Sequence, residues 1–468
     1  MQENVDRCRN YRMYPLKKGE KALKKVLIAN RGEIASRIIK TCHELGIETV
    51  AIYSDADQEL PFVKNATVAH RIGEPQVSKS YLQMEKVIEI AEQEEVDAIH
   101  PGYGFLSENP QFAQAVTDKG IVFIGPPPSI ISLMGDKVKA RQTMIKAGVP
   151  VVPGSEEGIH TIEEACTLAT SYGYPVMLKA SGGGGGIGMV CCHSEDELQK
   201  AFQTTKLRAK SYFGNDKVFI EKFIPNARHI EVQVFGDHHG NIVHLFERDC
   251  SIQRRNQKVV EETPSPFLSS VTREKICQTA KKAAEYVGYT NAGTIEFIVD
   301  EEENFYFLEM NTRLQVEHGI TEMITDVDLV EWQLLVARGE KLPMTQSEIN
   351  SFGHSIEFRL YAEDPIRFFP SPGKIEEFRL PSNIQNVRID NGYEVGSIVT
   401  PFYDPMLAKI IVKGNTRQDA IQTAKNYLNE IVIKGIKTNI PLFIQIINEE
   451  SFLHGEYTTN YLSLINKR

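Results

Sequence analysis

Apolar residues in this chain fall first into short runs joined by helical spacing and later into alternating strands. Val26-Leu-Ile-Ala29 is strand-like, Glu33 to Leu45 repeats apolar residues at helical intervals and stops at Gly46, and Thr49-Val-Ala-Ile-Tyr-Ser54 is strand-like again. Strand, helix and strand in that order predict a parallel sheet, and the unit repeats loosely to Ile124. Gly125-Pro-Pro-Pro128 then punctuates the chain. A smaller α/β lobe is expected over about 151–224. A third part begins near His229, passes through Ile356-Glu-Phe-Arg-Leu-Tyr361, and ends in alternating strands with an amphipathic helix around Arg417 to Ile431. No internal repeat is evident.

Within the third part, Ala292 to Asp300 and Phe305 to Glu309 are rich in β-branched and aromatic residues and flank the polar turn Glu301 to Asn304. That reads as an antiparallel hairpin, with Asp300 facing Phe305 and Glu296 facing Glu309. Like charges directly opposite destabilise a hairpin. The pair makes sense if a divalent cation lies between the two carboxylates, and Mg²⁺, which prefers hard oxygen ligands, is the natural candidate. The polar alternation continues: Glu309, Asn311, Arg313, Gln315 and Glu317 stand on every second residue. In an extended strand all five would line one wall. The bland alternative is a solvated edge strand.

Lys179-Ala-Ser-Gly-Gly-Gly-Gly-Gly-Ile-Gly-Met189 lies between the apolar Pro175-Val-Met-Leu178 and the strand-like Met189-Val-Cys-Cys192, after which Ser194-Glu-Asp-Glu197 offers a capping box. Its glycines join strand to strand. That excludes the dinucleotide fingerprint, whose glycines open a helix, and the Walker loop, which needs Gly-Lys-Ser/Thr. A flexible linker is the ordinary reading of such a run. With strands on both sides and Lys179 at its base, we read a flap whose bare amides close over phosphates.

These features together resemble the ATP-grasp superfamily and, more narrowly, biotin carboxylase. The resemblance extends to Lys25-Val-Leu-Ile-Ala-Asn-Arg-Gly-Glu-Ile34, His100-Pro-Gly-Tyr-Gly-Phe-Leu-Ser-Glu-Asn109, Met134-Gly-Asp-Lys137, Glu247-Arg-Asp-Cys-Ser-Ile-Gln-Arg-Arg255, Gln315-Val-Glu-His318 and Tyr403-Asp-Pro-Met406. It implies an α/β (α+β) ATP-grasp fold with three units: a parallel-sheet N-terminal (pre-ATP-grasp) domain over 24–135, an ATP-grasp domain over 136–343 with a mobile lid, and a C-terminal biotin carboxylase domain over 353–463. Residues 1–23 are an extension, disordered or the product of an upstream start.

The resemblance also implies a reaction. ATP phosphorylates bicarbonate to carboxyphosphate, which releases carbon dioxide beside the ureido group of biotin. Catalysis falls to Lys258, Arg313, Gln315, the Val316 backbone and Glu317, which hold bicarbonate. Glu317 is the general base, and Arg359 stabilises the enolate-like biotin oxygen. ATP is met by Lys137, Lys179, Gly185, Gly186, Glu221, Lys222, Ile224, His229, Gln253, Glu296 and Glu309. Mg²⁺ or Mn²⁺ is held by Glu296, Glu309 and Asn311. Tyr103 lies against biotin, with Glu108 near the same cleft. Taken singly, Arg359 would be an ion pair with Glu357 or Glu363, Glu317 a pair with Arg313, and His229 a satisfied core histidine.

Composition agrees. With 52 Lys and Arg against 62 Asp and Glu, the chain carries a net charge of −10 and no basic run, so nucleic acid is not an expected partner. Its length suggests about three domains. Seven cysteines without Cys-x-x-Cys point to a reducing compartment. Cys191 and Cys192 face opposite sides of a strand, and Cys250 reads as a buried, inert thiol. No apolar stretch is long enough to span a bilayer and Met1 to Leu23 lacks a signal-peptide core, so a cytoplasmic location and no membrane partner are expected.

No Met-Lys-Met biotin-attachment motif occurs. Biotin is therefore expected on a separate carrier protein, as with the biotin carboxylase subunit of acetyl-CoA carboxylase, with carboxyltransferase subunits as further partners and a homodimer as the assembly. Ile187, Asn256 and Gly319 depart from the family's usual Arg, His and Pro. The first removes a phosphate-facing cation, the second keeps hydrogen bonding without a titratable proton, and the third loosens the end of the catalytic strand. Two other readings are a ligase of carbamoyl-phosphate synthetase type and a nucleotide-binding regulatory subunit with weakened catalysis.

Overall fold

A computed structural model describes residues 23–155, 157–180, 188–213, 216–382 and 384–465. The expectations placed on the extension, on the flap glycines including Gly185 and Gly186, and on Ile187 fall outside the described residues.

The N-terminal part is a parallel sheet of β1 (Lys25–Ile28), β2 (Glu48–Ser54), β3 (Val68–Gly73), β4 (Ala98–His100) and β5 (Val122–Phe123), ordered β3-β2-β1-β4-β5. The helix Gly32–Glu44 buries Ile34, Ala35, Ile38, Ile39 and Cys42, the apolar stripe read from the sequence. It stops where Gly46 takes a φ of +70°, a conformation glycine adopts without steric cost.

The lid sheet is β6 (Val176–Ala180), β7 (Met189–Cys192) and β8 (Val218–Lys222), antiparallel in the order β7-β6-β8. The glycine-rich segment thus joins two paired strands, as read. Helices Ile162–Tyr172 and Glu195–Phe213 cover the sheet and bury Ala165, Leu198 and Phe202 against Val176 and Leu178. Phe202→Ala in this small core would cost about 3–5 kcal/mol.

The remaining chain builds β9 (Arg228–Gly236), β10 (Ile242–Arg254), β11 (Gln257–Thr263), β12 (Asn291–Val299), β13 (Phe305–Asn311), β14 (His354–Tyr361), β15 (Gly373–Lys374), β16 (Glu377–Arg379), β17 (Val387–Asn391), β18 (Ile398–Val399), β19 (Met406–Gly414) and β20 (Val432–Lys434). β15 pairs with β18 and β16 with β20, while the rest form an eight-stranded sheet, β13-β12-β9-β10-β11-β14-β19-β17. Every pairing in that sheet is antiparallel. It crosses the interval between the expected second and third units, because β14 pairs with β11 through Val260 and Phe358. The helix Arg417–Leu428 starts on a Thr416/Asp419 capping box and ends three residues short of the expected Ile431.

Glu296 is the register partner of Glu309, as predicted, but the route to that pairing differs. Near the turn Val299, not Asp300, faces Phe305, and an irregularity between Glu296 and Phe297 restores the predicted alignment. The extra residue is absorbed where Phe307 N–H donates to Pro150 O instead.

Candidate functional site

One rung of charge crosses four adjacent strands. Glu309 on β13 is paired with Glu296 on β12, Glu296 with Glu231 on β9, and Glu231 with Arg248 on β10. Register partners point to the same side of a sheet, so three carboxylates stand in a row. Glu231 and Arg248 are wholly buried. Lys258 reaches over from β11, with its Nζ donating to Glu231, to Glu296 at 2.9 Å and to Glu317 at 2.6 Å. Burial pulls this ammonium's pKa down, but the three carboxylates outweigh it and hold the pKa well above the ordinary lysine range.

The five-residue polar wall is not a strand. β13 ends at Asn311, residues 312–317 form a bend and turn, and a helix begins at His318. Thr312 leaves the ladder because its N–H donates to Glu108 Oε1 at 3.0 Å, a carboxylate carried by the N-terminal part. The turn nevertheless converges on the rung. Asn311 and Gln315 both donate to Glu296 Oε1, at 2.8 and 2.9 Å. Arg313 donates to Glu108 at 2.8 Å and to Asn311 Oδ1 at 3.0 Å.

Glu317 accepts from Lys258 and, at 2.9 Å, from Arg359 Nη2, so it is not the partner of Arg313. Arg359 pairs with Glu317 and Glu261, while Glu363 is taken by Arg254, so the two simple ion pairs considered for Arg359 do not form. Burial raises the Glu317 carboxyl pKa, but Lys258, Arg359 and Arg248 overcome it and hold it well below the usual range. Glu296 is held low in the same way by Lys258 and His229.

Gly319 does not loosen a strand. It lies in the helix His318–Thr325, where a Cβ would come within 2.3 Å of the tip of the Ile411 side chain, which would have to shift. Asn256 lies at the exposed tip of the β10–β11 hairpin.

The lid side is simpler. Lys179 Nζ pairs with Glu221, which also faces Arg141 Nη1 at 3.6 Å. Lys222 Nζ donates to Gly173 O at 2.8 Å, and Ile224 follows the end of β8. Lys137 lies 3.3 Å from Glu309. His229 is no isolated core histidine: its ring meets Glu296 Oε2 at 2.8 Å and Gln253 at 2.7 Å. Burial lowers its pKa, and Glu296 more than restores it. A cleft of about 330 Å³ is lined by Glu33, Tyr103, Arg313, Val316 and Arg359 among others, so Tyr103 and Arg359 share one space.

The donor set fits a divalent cation. Glu296 and Glu309 stand side by side, with Lys137 3.3 Å from Glu309, and Asn311 adds a carboxamide whose oxygen accepts from Arg313. The structure also converges His229, Glu231 and Glu296, with ligand atoms within 4.8 Å of one another. A second convergence joins Glu231, Cys250 and Glu317, where burial pushes the Cys250 thiol pKa well up.

Glu231, Arg248, Glu261 and Arg141 were not singled out from the sequence. The first had a legible signal: His229, Glu231 and Gln233 alternate on β9 just as the residues after Glu309 do.

Comparison with known proteins agrees with this geometry. Residues 22–131 match the family described as biotin carboxylase, N-terminal domain; residues 136–345 match the carbamoyl-phosphate synthase L chain, ATP binding domain; and residues 357–464 match the biotin carboxylase C-terminal domain. Biotin carboxylase 2 of Bacillus subtilis (strain 168) is 58% identical over 94% of this chain and 98% of its own length. The solved complex of Campylobacter jejuni biotin carboxylase with β-γ-ATP superposes with a TM-score of 0.93 at 45% identity, covering 95% of this chain and 99% of that one. The biotin carboxylase domain dimer of Hydrogenobacter thermophilus 2-oxoglutarate carboxylase, solved with MgADP, ADP and bicarbonate, gives 0.92 at 47% identity, with 95% and 98% coverage.

Proposed function

This chain belongs to the biotin carboxylase family of ATP-dependent ligases, and from that premise we propose that it carboxylates the biotin of a separate carrier protein with bicarbonate, as the first half-reaction of an acyl-CoA carboxylase. Acetyl-CoA carboxylase, and so fatty acid biosynthesis, is our preferred setting. The observation that carries the reading is the meeting of Lys258, Glu317 and Arg359 at the end of the carboxylate row.

In this reading Lys258, Arg313, Gln315 and the Val316 backbone hold bicarbonate. Glu317 is ionised at rest, ready to accept its proton, yet weakly basic while Lys258 and Arg359 grip it. An incoming anion that draws those two cations to itself restores the basicity. Lys137 and Lys179 meet the phosphates, with the lid residues Glu221, Lys222 and Ile224 beside the adenine and His229 and Gln253 behind it. Glu296, Glu309 and Asn311 would hold Mg²⁺ or Mn²⁺, which would neutralise charge on the transferring phosphoryl group. Arg359 is poised to turn from Glu317 to the biotin oxygen next to Tyr103.

A homodimer acting with carrier and carboxyltransferase subunits in the cytoplasm completes the reading. The dimeric Hydrogenobacter structure supports the assembly. Among the described residues no helix is long and apolar enough to cross a membrane. Bicarbonate-dependent ATP cleavage that rises with free biotin and collapses in Glu317→Ala and Lys258→Ala is the expected result. Cleavage stimulated by ammonia instead would overturn it.

A further inference from the structure

Lys409 is fully buried, yet its ammonium joins parts of the chain far apart in sequence. From β19 its Nζ donates to the Val316 backbone oxygen at 2.9 Å and faces Glu33 Oε2 at 3.2 Å and Asp390 Oδ2 at 3.6 Å. Glu33 belongs to the first turn of the helix Gly32–Glu44, and its other oxygen accepts the Tyr103 hydroxyl. Lys409 is also the register partner of Arg359. Two neighbouring strands therefore grip consecutive residues of one turn: Arg359 takes the Glu317 carboxylate and Lys409 the Val316 carbonyl.

A buried ammonium is costly, and an apolar side chain would hold the same volume at no greater cost to stability. Its partners here come from three different elements, and one of them is the backbone of the turn that presents Glu317. Burial pushes the Glu33 carboxyl up to about 7 against the pull of Lys409.

We propose that Tyr103, Glu33 and Lys409 form a strut through which biotin seated against Tyr103 fixes the Val316–Glu317 turn, making Lys409 a positioning residue for the general base. The proposal rests on the carboxylase reading above. It deepens that reading by assigning the route from the biotin cleft to bicarbonate activation. Lys409 itself does not line the cleft and touches no substrate in this arrangement.

The test uses the full chain and measures bicarbonate-dependent ATP cleavage with and without free biotin. If the unmodified chain shows no stimulation, the carboxylase reading fails and the strut falls with it. Given stimulation, Lys409→Met and Glu33→Gln are each expected to reduce the ratio of stimulated to unstimulated rate by about tenfold, with the ATP KM changed by no more than about twofold, because a small misplacement of a catalytic group is costly in rate. Combining the two should add little to either alone. A merely structural role lowers both rates together and leaves the ratio intact. Thermal melting monitors folding, and if Lys409→Met does not fold, Glu33→Gln decides, since its carboxamide keeps the shape and still accepts from Tyr103. An unchanged ratio in folded Glu33→Gln overturns the proposal.

Discussion

The sheet side and the lid side of the candidate site carry similar charges but hold them differently. On the sheet wall Lys258 is shared among three carboxylates, Glu317 between two cations, and Glu231 is sealed from solvent. On the lid wall Lys179 answers to Glu221, while at the exposed end of the carboxylate row Lys137 meets a Glu309 side chain that is 34% exposed. The charges of the sheet wall are shared in a network, which in the proposed reaction would let Lys258 and Arg359 pass from Glu317 to an incoming anion over short distances. The lid wall holds Lys179 in a simple pair, for which phosphate oxygens would compete with Glu221 in the proposed reaction. The contrast assigns rate to one wall and nucleotide affinity to the other.

The largest effect should come from Lys258. In Lys258→Met, Glu231, Glu296 and Glu317 lose their common cation, and kcat for bicarbonate-dependent ATP cleavage should fall by about 10²–10³ with little change in ATP KM. Steady-state kinetics decide this. A rise in ATP KM of the same size would erase the distinction between the walls.

Next in size is an effect on the other face of the same strand. Glu262 follows Glu261 on β11 and points the opposite way, into a nest of His354, Arg417 and Tyr457. Burial raises its pKa, but hydrogen bonds from His354 and Arg417 lower it further, from 4.5 to about 2. A depressed carboxylate stabilises the fold above its unfolded pKa and loses that contribution as pH falls through the folded value. Glu262→Gln should therefore be less stable by about 3 kcal/mol at neutral pH, with the gap closing between about pH 4.5 and 2. Denaturant melts across that window check it, while catalysis above it should be spared more than in Lys258→Met.

Lys179→Met is the matched test of the lid wall. A single charge-assisted contact to phosphate is worth about 1.5–3 kcal/mol, so ATP KM should rise by about tenfold or more while kcat falls less. Nucleotide titration of the variant separates the two. If kcat drops as steeply as in Lys258→Met, the lid lysine belongs to the chemistry and not to affinity alone.

Legibility in the sequence followed the same division. The lid could be read because its logic is local: strand, glycines, strand, each from neighbouring residues. The Glu296–Glu309 pairing could also be read, although an off-by-one pairing at the turn and a compensating irregularity both had to occur for it to hold. The wall beyond Asn311 was misread as a strand because its exit depends on Glu108, more than two hundred residues earlier. Period-two polarity marks a shared face only while the backbone stays extended. Arg248, Glu261 and Glu33 act through partners on distant elements, and no local pattern sets a buried salt bridge apart from an exposed one.

The smallest effect tests whether the tip of the β10–β11 hairpin belongs to either wall. Arg254 pairs with Gln257, leaving Arg255 and Asn256 as a two-residue turn with φ of +51° and +65°. Both positive values define the mirror-image turn that suits the twist of a hairpin, and Asn tolerates that conformation better than other residues with side chains. The position therefore has a backbone reason for Asn, independent of Lys258. Asn256→Ala should cost about 1 kcal/mol of stability and Asn256→Gly close to nothing, since glycine adopts the conformation freely. Because Lys258 is held by three carboxylates and not by the tip, kcat should stay within about twofold in both variants, well inside the loss expected when a catalytic donor is removed. Denaturant unfolding and steady-state rates on the same samples measure both quantities. A loss of kcat in Asn256→Gly with stability retained would move the hairpin tip from scaffold to catalytic wall.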